Sequence, residues 1–292
     1  MKPLTLLLCL PCLALAKPPS QPVPVPDDIR VEKDVSYLAN DRKEKADLYF
    51  PKTIAAGEKL PAIVFIHGGG FNDGDKARQR EVSICSDLAR GGYVAMSINY
   101  KLWNKGVKHP TWPQSVYDAK TAVRWLRKNA ATIGINPDRI GAIGGSAGGN
   151  LASMLAVTGP ADGLDPKEPL GDVSARVSCA VDLYGAVDLP NYHDMKMFLK
   201  TRAEDAAVYA KGSPINYCDK HDPPMLLIHG TADEVVDHSQ SATFAAKLKA
   251  AGVEHEFVSI PGAPHSFDLH PAQRDIRDLV LGFFDKHLKA TP

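Results

Sequence analysis

The run Ala62-Ile63-Val64-Phe65-Ile66 offers no polar face to water. Alternation of polar and apolar residues would mark a strand with one side exposed. Unbroken apolarity over so few residues marks a strand covered on both sides. Similar short runs recur at 93–99, 139–143, 177–183, 225–228 and 254–260, and two further β segments, 31–38 and 46–50, flank the charged turn Asn40-Asp41-Arg42. Helical patterns lie between the runs. Val116, Ala119, Val123, Leu126, Ala130 and Ile133 fall on one stripe of a 3.6-residue helix, which Gly134 closes ahead of Pro137. Residues 239–251, with Gly252 after them, and the stripe Ile276, Leu279, Val280, Phe283 and Phe284 give two more. This alternation predicts an α/β fold: a mostly parallel sheet with helices on both faces, its first two strands antiparallel at one edge.

The alternation begins only after residue 28. Residues 1–16 carry Lys2, an apolar run from Leu4 to Leu15 and the small-x-small ending Ala14-Leu15-Ala16. The pattern predicts a signal peptide cleaved near Ala16 and a secreted or periplasmic product, an uncleaved anchor being the alternative. The run is shorter than the roughly 20 residues of a membrane helix and no longer one follows, so no stable membrane insertion is expected. Residues 17–28 hold five prolines and read as an extended tether. Residues 29–292 then form one domain. Within it, residues 185–222 interrupt the rhythm, either as a lid or cleft wall or as a packing helix with its loops. Lys plus Arg equals Asp plus Glu, 34 against 34, which lacks the basic excess of a nucleic-acid binder. Beyond Cys9 and Cys12 of the leader only Cys85, Cys179 and Cys218 remain. An odd set leaves at least one thiol free or bonded between molecules.

The chemistry-bearing residues sit at strand ends. Gly144-Gly145-Ser146-Ala147-Gly148 matches G-x-S-x-G between the strand at 140–143 and a helical run at 150–157. Small neighbours allow a turn tight enough to expose Ser146 as a nucleophile, and a helix N-terminus favours developing negative charge. His67-Gly68-Gly69-Gly70 follows the strand ending at Ile66. Acyl transfer builds an oxyanion, and the N–H groups of Gly69, Gly70 and Ala147 are the expected donors; His67 anchors the loop. A serine hydroxyl needs a base. His265, in the late loop Pro261-Gly262-Ala263-Pro264-His265-Ser266-Phe267, stands where the order Ser…Asp/Glu…His puts it. The acid that orients this base is Asp233, just after the strand at 225–228, with Glu234 and Asp237 as close competitors and His229 packing below the loop. There is no H-E-x-x-H and no phosphate-binding G-x-x-x-x-G-K-[ST], so neither a metal nor a cofactor is expected.

Together these motifs resemble those of α/β-hydrolase esterases of the HGGG group, above all the bacterial feruloyl-esterase and acetyl-xylan-esterase-like branch. The matching text runs in order from about Val31 to Leu288. It includes His67 to Phe71 with Gly74-Asp75-Lys76, Ser97-Ile98-Asn99-Tyr100, Asp118-Ala119-Lys120 with Arg124-Trp125-Leu126, and Asn136-Pro137-Asp138-Arg139-Ile140. Gly144 to Asn150, Gly230 to Asp233 and His265-Ser266-Phe267 complete it. The resemblance implies the α/β-hydrolase fold with an eight-stranded sheet and a Ser146–Asp233–His265 triad. Residues 101–112 depart from the acidic, Pro-rich stretch common in the group and carry Trp103, His109 and Trp112.

The reading that follows is a secreted carboxylic-ester hydrolase working through an acyl-enzyme on a small-molecule or polysaccharide ester, with acetyl or feruloyl groups favoured. Tyr100, Trp103 and Trp112 are candidates to stack on a sugar, although loop aromatics as often serve packing. Two other readings share the core. A serine peptidase of the prolyl-oligopeptidase type usually carries a propeller domain, for which this sequence leaves no length. A catalytically silent hydrolase fold used for binding typically lacks a triad member, and none is missing here.

Overall fold

The computed structural model describes residues 23–289. The strands are β1 (Ile29–Val35), β2 (Ala46–Pro51), β3 (Leu60–Ile66), β4 (Val94–Ile98), β5 (Ile135–Gly145), β6 (Ala180–Leu183), β7 (Met225–Gly230) and β8 (His255–Ile260). They form one sheet in the order β1-β2-β4-β3-β5-β6-β7-β8. β1–β2 and β2–β4 pair antiparallel, and every other neighbour is parallel. This is the α/β-hydrolase sheet. The helices are α1 (Gln79–Arg90), α2 (Gln114–Lys128), α3 (Ala130–Ile133), α4 (Ala147–Val157), α5 (Ala206–Lys211), α6 (Ser239–Ala251) and α7 (Arg277–Leu288).

Period-2 geometry divides the central strand between two cores. Ala62, Val64 and Ile66 of β3 join α2, α4 and α6 on one face. Ile63 and Phe65 join α1 and α7 on the other. All seven residues of β3 are buried, which is why its sequence shows no alternation. α4 is buried at every position, wedged between the sheet and α2, and is small or apolar except for Asn150 and Ser153, whose side chains are hydrogen-bonded.

Three local readings change. The stripe from Val116 to Ile133 is two helices: Asn129 leaves helical geometry between α2 and α3 and its amide donates to the Trp125 carbonyl (2.8 Å), so an asparagine that competes for backbone hydrogen bonds divides the stripe. α1 carries no strong signal because Arg80, Glu81, Ser83 and Asp87 interrupt its buried stripe of Val82, Cys85, Leu88 and Ala89. At the end of the Pro-rich segment, Val23 and Val25 pack against the α1–α7 core. The leader at 1–16, with Cys9 and Cys12, lies outside the described residues. Cys85, Cys179 and Cys218 are all free thiols, and burial pushes the first two well above the usual thiol range.

Residues 185–222 hold three short 3-10 turns and α5. They are anchored rather than free. Gln240 of α6 accepts from the Val187 and Asp188 N–H groups (2.9 and 2.8 Å), and Asn150 of α4 donates to the carbonyls of Ala186 and Gly212. Thr111 N–H donates to the Met197 carbonyl (3.0 Å), which ties this stretch to residues 101–112.

Asp182 of β6 is fully buried behind α4, where its carboxylate accepts from Ser153 Oγ and Gly185 N, each at 2.8 Å. Burial pushes its pKa up from 3.8 to about 7. Below 3.8 the group is neutral in both states and folding carries no cost. Between 3.8 and about 7 the unfolded chain ionises while the folded one resists, so stability falls as pH rises; above about 7 the loss is constant. Asp182→Asn carries no charge, keeps the bond from Gly185 N to its oxygen, and replaces the one from Ser153 by a bond from its NH2 group to Ser153 Oγ. Its stability relative to the parent is expected to increase from pH 4 to pH 7 and then level off, measured by urea midpoints across that range. A pH-independent difference would contradict this assignment.

Candidate active site

The strand order reverses around β3: β4 lies on one side and β5 on the other. The crevice at the carboxyl ends of the strands flanking such a switch is where open α/β sheets hold their ligands. Here it receives the Gly-rich loop after β3 and the turn after β5.

Ser146 occupies that turn with φ 57° and ψ −119°, a conformation L-residues avoid. The turn is tight because α4 starts against the strand ends. A Cβ on Gly148 would fall deep inside van der Waals contact of the Ile66 carbonyl, a backbone atom that cannot move aside. Ser146 N–H donates to the Leu183 carbonyl of β6 (2.9 Å), fixing the turn from the other side.

His265 reaches Ser146 from the loop after β8. Its Nε2 lies 3.0 Å from Ser146 Oγ and its Nδ1 2.6 Å from Asp233 Oδ2. Nδ1–H therefore donates to the carboxylate, leaving Nε2 free to accept from the serine. The Asp233 side chain is buried, and its other oxygen, Oδ1, accepts the Val235 and Val236 N–H groups at 2.9 Å each. Burial acts to raise this carboxyl, but the hydrogen bond from His265 and then those from the two backbone N–H groups outweigh it and hold the group below the usual carboxylate range. Glu234 and Asp237, the competing acids, make no hydrogen bond to His265 among the described residues.

A second imidazole supports the acid. His229, at 0% exposure, places Nε2 3.1 Å from Asp233 Oδ2 and 2.9 Å from the Val236 carbonyl, with Nδ1 2.7 Å from Ser241 Oγ. Burial lowers its pKa, so the ring is neutral. Two acceptors at Nε2 put the proton there, and Nδ1 accepts from the Ser241 hydroxyl. Sequence reasoning placed His229 below the loop without this bond. The signal was its spacing of four from Asp233 across a tight turn.

On the β3 side, Gly69 and Gly70 have φ of 117° and 59°. The first is closed to any side chain and turns the peptide planes toward the crevice. Among the described residues, the N–H groups of Gly69, Gly70 and Ala147 donate to no protein acceptor. His67 supports the loop: it is buried, its Nδ1 donates to the Gly68 carbonyl (2.7 Å), and its ring stacks on Tyr100 at 4.5 Å. The Gly74-Asp75-Lys76 turn is pinned to the end of β4 by Asn99, which accepts from Lys76 N (2.7 Å) and donates to Asp75 (2.8 Å).

The three aromatic candidates separate. Tyr100 is 1% exposed, with its ring against His67 and Phe71 and its hydroxyl donating to the His67 carbonyl. Trp112 is 8% exposed and packs edge-on to Phe198. Neither has an open ring face, so both are corrected from sugar platforms to packing residues. Trp103 alone is part-exposed. It lies between a cavity of about 280 Å³ shared with Asn72 and Asn99 and one of about 290 Å³ shared with Met195, Leu199 and Glu204. Its backbone N–H donates to the Phe71 carbonyl (2.8 Å), next to the glycine loop, its indole N–H has no hydrogen-bond partner among the described residues, and Lys196 lies over its ring. Among the described residues no cluster of His, Cys, Asp or Glu is arranged to hold a metal, and no helix is long and apolar enough to cross a membrane.

Fold and site together define an α/β hydrolase with a serine, a histidine and an aspartate hydrogen-bonded in a row. Residues 46–248 match the BD-FAE family model, and the chain belongs to that family. It is 31% identical to Esterase LipQ of Mycobacterium tuberculosis over 81% of its own length, and spans 57% of that relative. It is similar in structure to a truncated carbohydrate esterase from gut microbiota (TM-score 0.82, 26% identity, 91% of this chain and 99% of that one). It is also similar to Thermogutta terrifontis esterase 2 phosphorylated by paraoxon (TM-score 0.74, 26% identity, 91% and 97%).

The packing of α4 sets the geometry of the whole turn. Gly148→Ala is expected to cost about 2 kcal/mol or more through overpacking against backbone, read as a lowered denaturant midpoint. An unchanged midpoint would mean that the elbow has slack.

Proposed function

We propose that the chain is a serine-dependent carboxylic-ester hydrolase. The observation that carries this reading is the 3.0 Å approach of His265 Nε2 to Ser146 Oγ, with Nδ1 held by Asp233. His265 takes the hydroxyl proton as Ser146 attacks the ester carbonyl, and the N–H groups of Gly69, Gly70 and Ala147 receive the charge that develops on oxygen. The imidazolium, stabilised by Asp233, returns the proton to the departing alcohol. Water, deprotonated by the same imidazole, then clears the acyl group from Ser146. The names of the three relatives given above, each an esterase, support the same chemistry.

For substrate we infer an acetyl or feruloyl ester on carbohydrate. Two facts support it: the similarity to a carbohydrate esterase, and the part-exposed Trp103 between two cavities beside the glycine loop. An indole with an ammonium over its ring and amide and carboxylate groups along the adjoining cavities suits a sugar ring, whose C–H face is apolar and whose rim is polar. Residues 1–16 fit export of the enzyme to where such esters occur.

Ser146→Ala is expected to lower kcat on a chromogenic acetate ester by about 10⁴-fold or more and to abolish labelling by a fluorophosphonate probe, with the fold retained by circular dichroism. Retained turnover would sink the assignment. Trp103→Ala is expected to reduce kcat/KM on acetylated xylan by about tenfold and far less on a chromogenic acetate. Equal losses on both would deny Trp103 a role in sugar binding.

A further inference from the structure

A neutral ester gives a hydrolase no reason to place a cation at its nucleophile, yet one is present. Arg80 is the second residue of α1. The Cβ position of Gly68, on the loop beside the nucleophile, lies 3.2 Å from Ser146 Cβ and 3.5 Å from Arg80 Nη2, so serine and guanidinium flank one point of the loop. Tyr184 is the other marker. Its ring packs edge-on against His265 (4.9 Å) and its hydroxyl donates to the Phe267 carbonyl, beyond His265. Burial pushes that hydroxyl's pKa up and the guanidinium pulls it back, as a charge close by would. Arg80 therefore sits in the crevice between the glycine loop and the histidine loop.

Its fork is held from behind. Glu81 is 1% exposed, and its Oε1 accepts from both Nε (3.1 Å) and Nη2 (2.7 Å) of Arg80. Burying a carboxylate is costly unless it is paired, and among the described residues Glu81 Oε2 has no hydrogen-bond partner. The pair fixes the guanidinium plane, the Tyr184 hydroxyl lies within reach of the same guanidinium, and the side chain is still 23% exposed. A guanidinium pinned on one side and part-exposed to the crevice on the other can receive a carboxylate.

We propose that Arg80 is a specificity-determining residue that selects esters carrying a carboxylate on the acyl or alcohol limb close to the scissile bond. This rests on the ester-hydrolase reading above: on a carbohydrate ester the carboxylate would belong to an acidic sugar or to the acyl group, and half-esters of dicarboxylic acids and O-acyl hydroxy acids are the small-molecule counterparts. Arg80 neither attacks nor transfers a proton. It anchors the anionic end while the carbonyl meets Ser146.

The test compares matched pairs by proton release. Monomethyl succinate and methyl butyrate differ in a terminal carboxylate against methyl, as do acetoxyacetate and ethyl acetate on the alcohol limb. The wild type is expected to prefer the anionic member of at least one pair in kcat/KM. Arg80→Gln is expected to lower kcat/KM on that member by at least tenfold more than on its neutral partner, mainly through KM. Arg80→Lys, which keeps charge but loses the fork, is expected to fall between. Because Arg80→Gln leaves Glu81 unpaired, Arg80→Gln with Glu81→Gln serves as the folded comparison and should show the same differential loss. No anionic preference in the wild type, or equal losses on both members of the pair, would overturn the proposal; the latter is what plain oxyanion stabilisation or a counter-ion role predicts. Failure of the wild type on all four esters would instead overturn the ester-hydrolase reading itself.

Discussion

The first turn of α4 approaches the ends of β3 and β5 so closely that one added carbon at Gly148 would collide with the Ile66 carbonyl. The rest of the site depends on that approach. It forces Ser146 into a positive φ and lifts its hydroxyl above the sheet edge. It brings the Ala147 N–H, unpaired as the first residue of a helix must be, alongside the glycine loop of β3. It also requires α4 to be buried on every side, which the insertion at 185–222 completes through the bonds from Asn150.

Around this elbow the polar groups form one connected row. Ser146, His265, Asp233, His229 and Ser241 are joined by successive hydrogen bonds, with two backbone N–H groups closing on the acid. A buried carboxylate left unpaired would be costly and mobile. With four donors it stays ionised and in place. The glycine loop is supported in the same way, through His67 stacked on Tyr100 and through the Asn99 clamp on the Gly74-Asp75-Lys76 turn. Family motifs far from Ser146 thus act on the site by holding its loops.

Much of this was legible beforehand where local chemistry decides. Apolar runs without alternation announced the doubly covered strands, and chain order with glycine-rich turns singled out Ser146, Asp233 and His265. The less legible parts have specific causes. α1 hid because Arg80, Glu81 and Asp87 lie within its stripe, and the Glu81 carboxylate is masked only once Arg80 folds over it. Tyr100 and Trp112 are candidates to stack on a sugar as loop aromatics, but His67 and Phe198 cover them, a contact between loops that residue type does not encode.

The sequence by itself determined the layered α/β architecture, the position of each strand-end motif and the serine, histidine and aspartate that the proposed acyl transfer uses. These follow from periodicity and residue type, which are properties of neighbours along the chain. Tertiary structure alone decided which aromatic stays open, which second histidine braces the acid and which arginine faces the nucleophile. Those outcomes depend on distances between residues far apart in sequence, such as 32 positions between Asp233 and His265 and 119 between Ser146 and His265. No local pattern encodes such distances; the register of β3 against β5 and the packing of α1 and α4 on the two faces of the sheet set them.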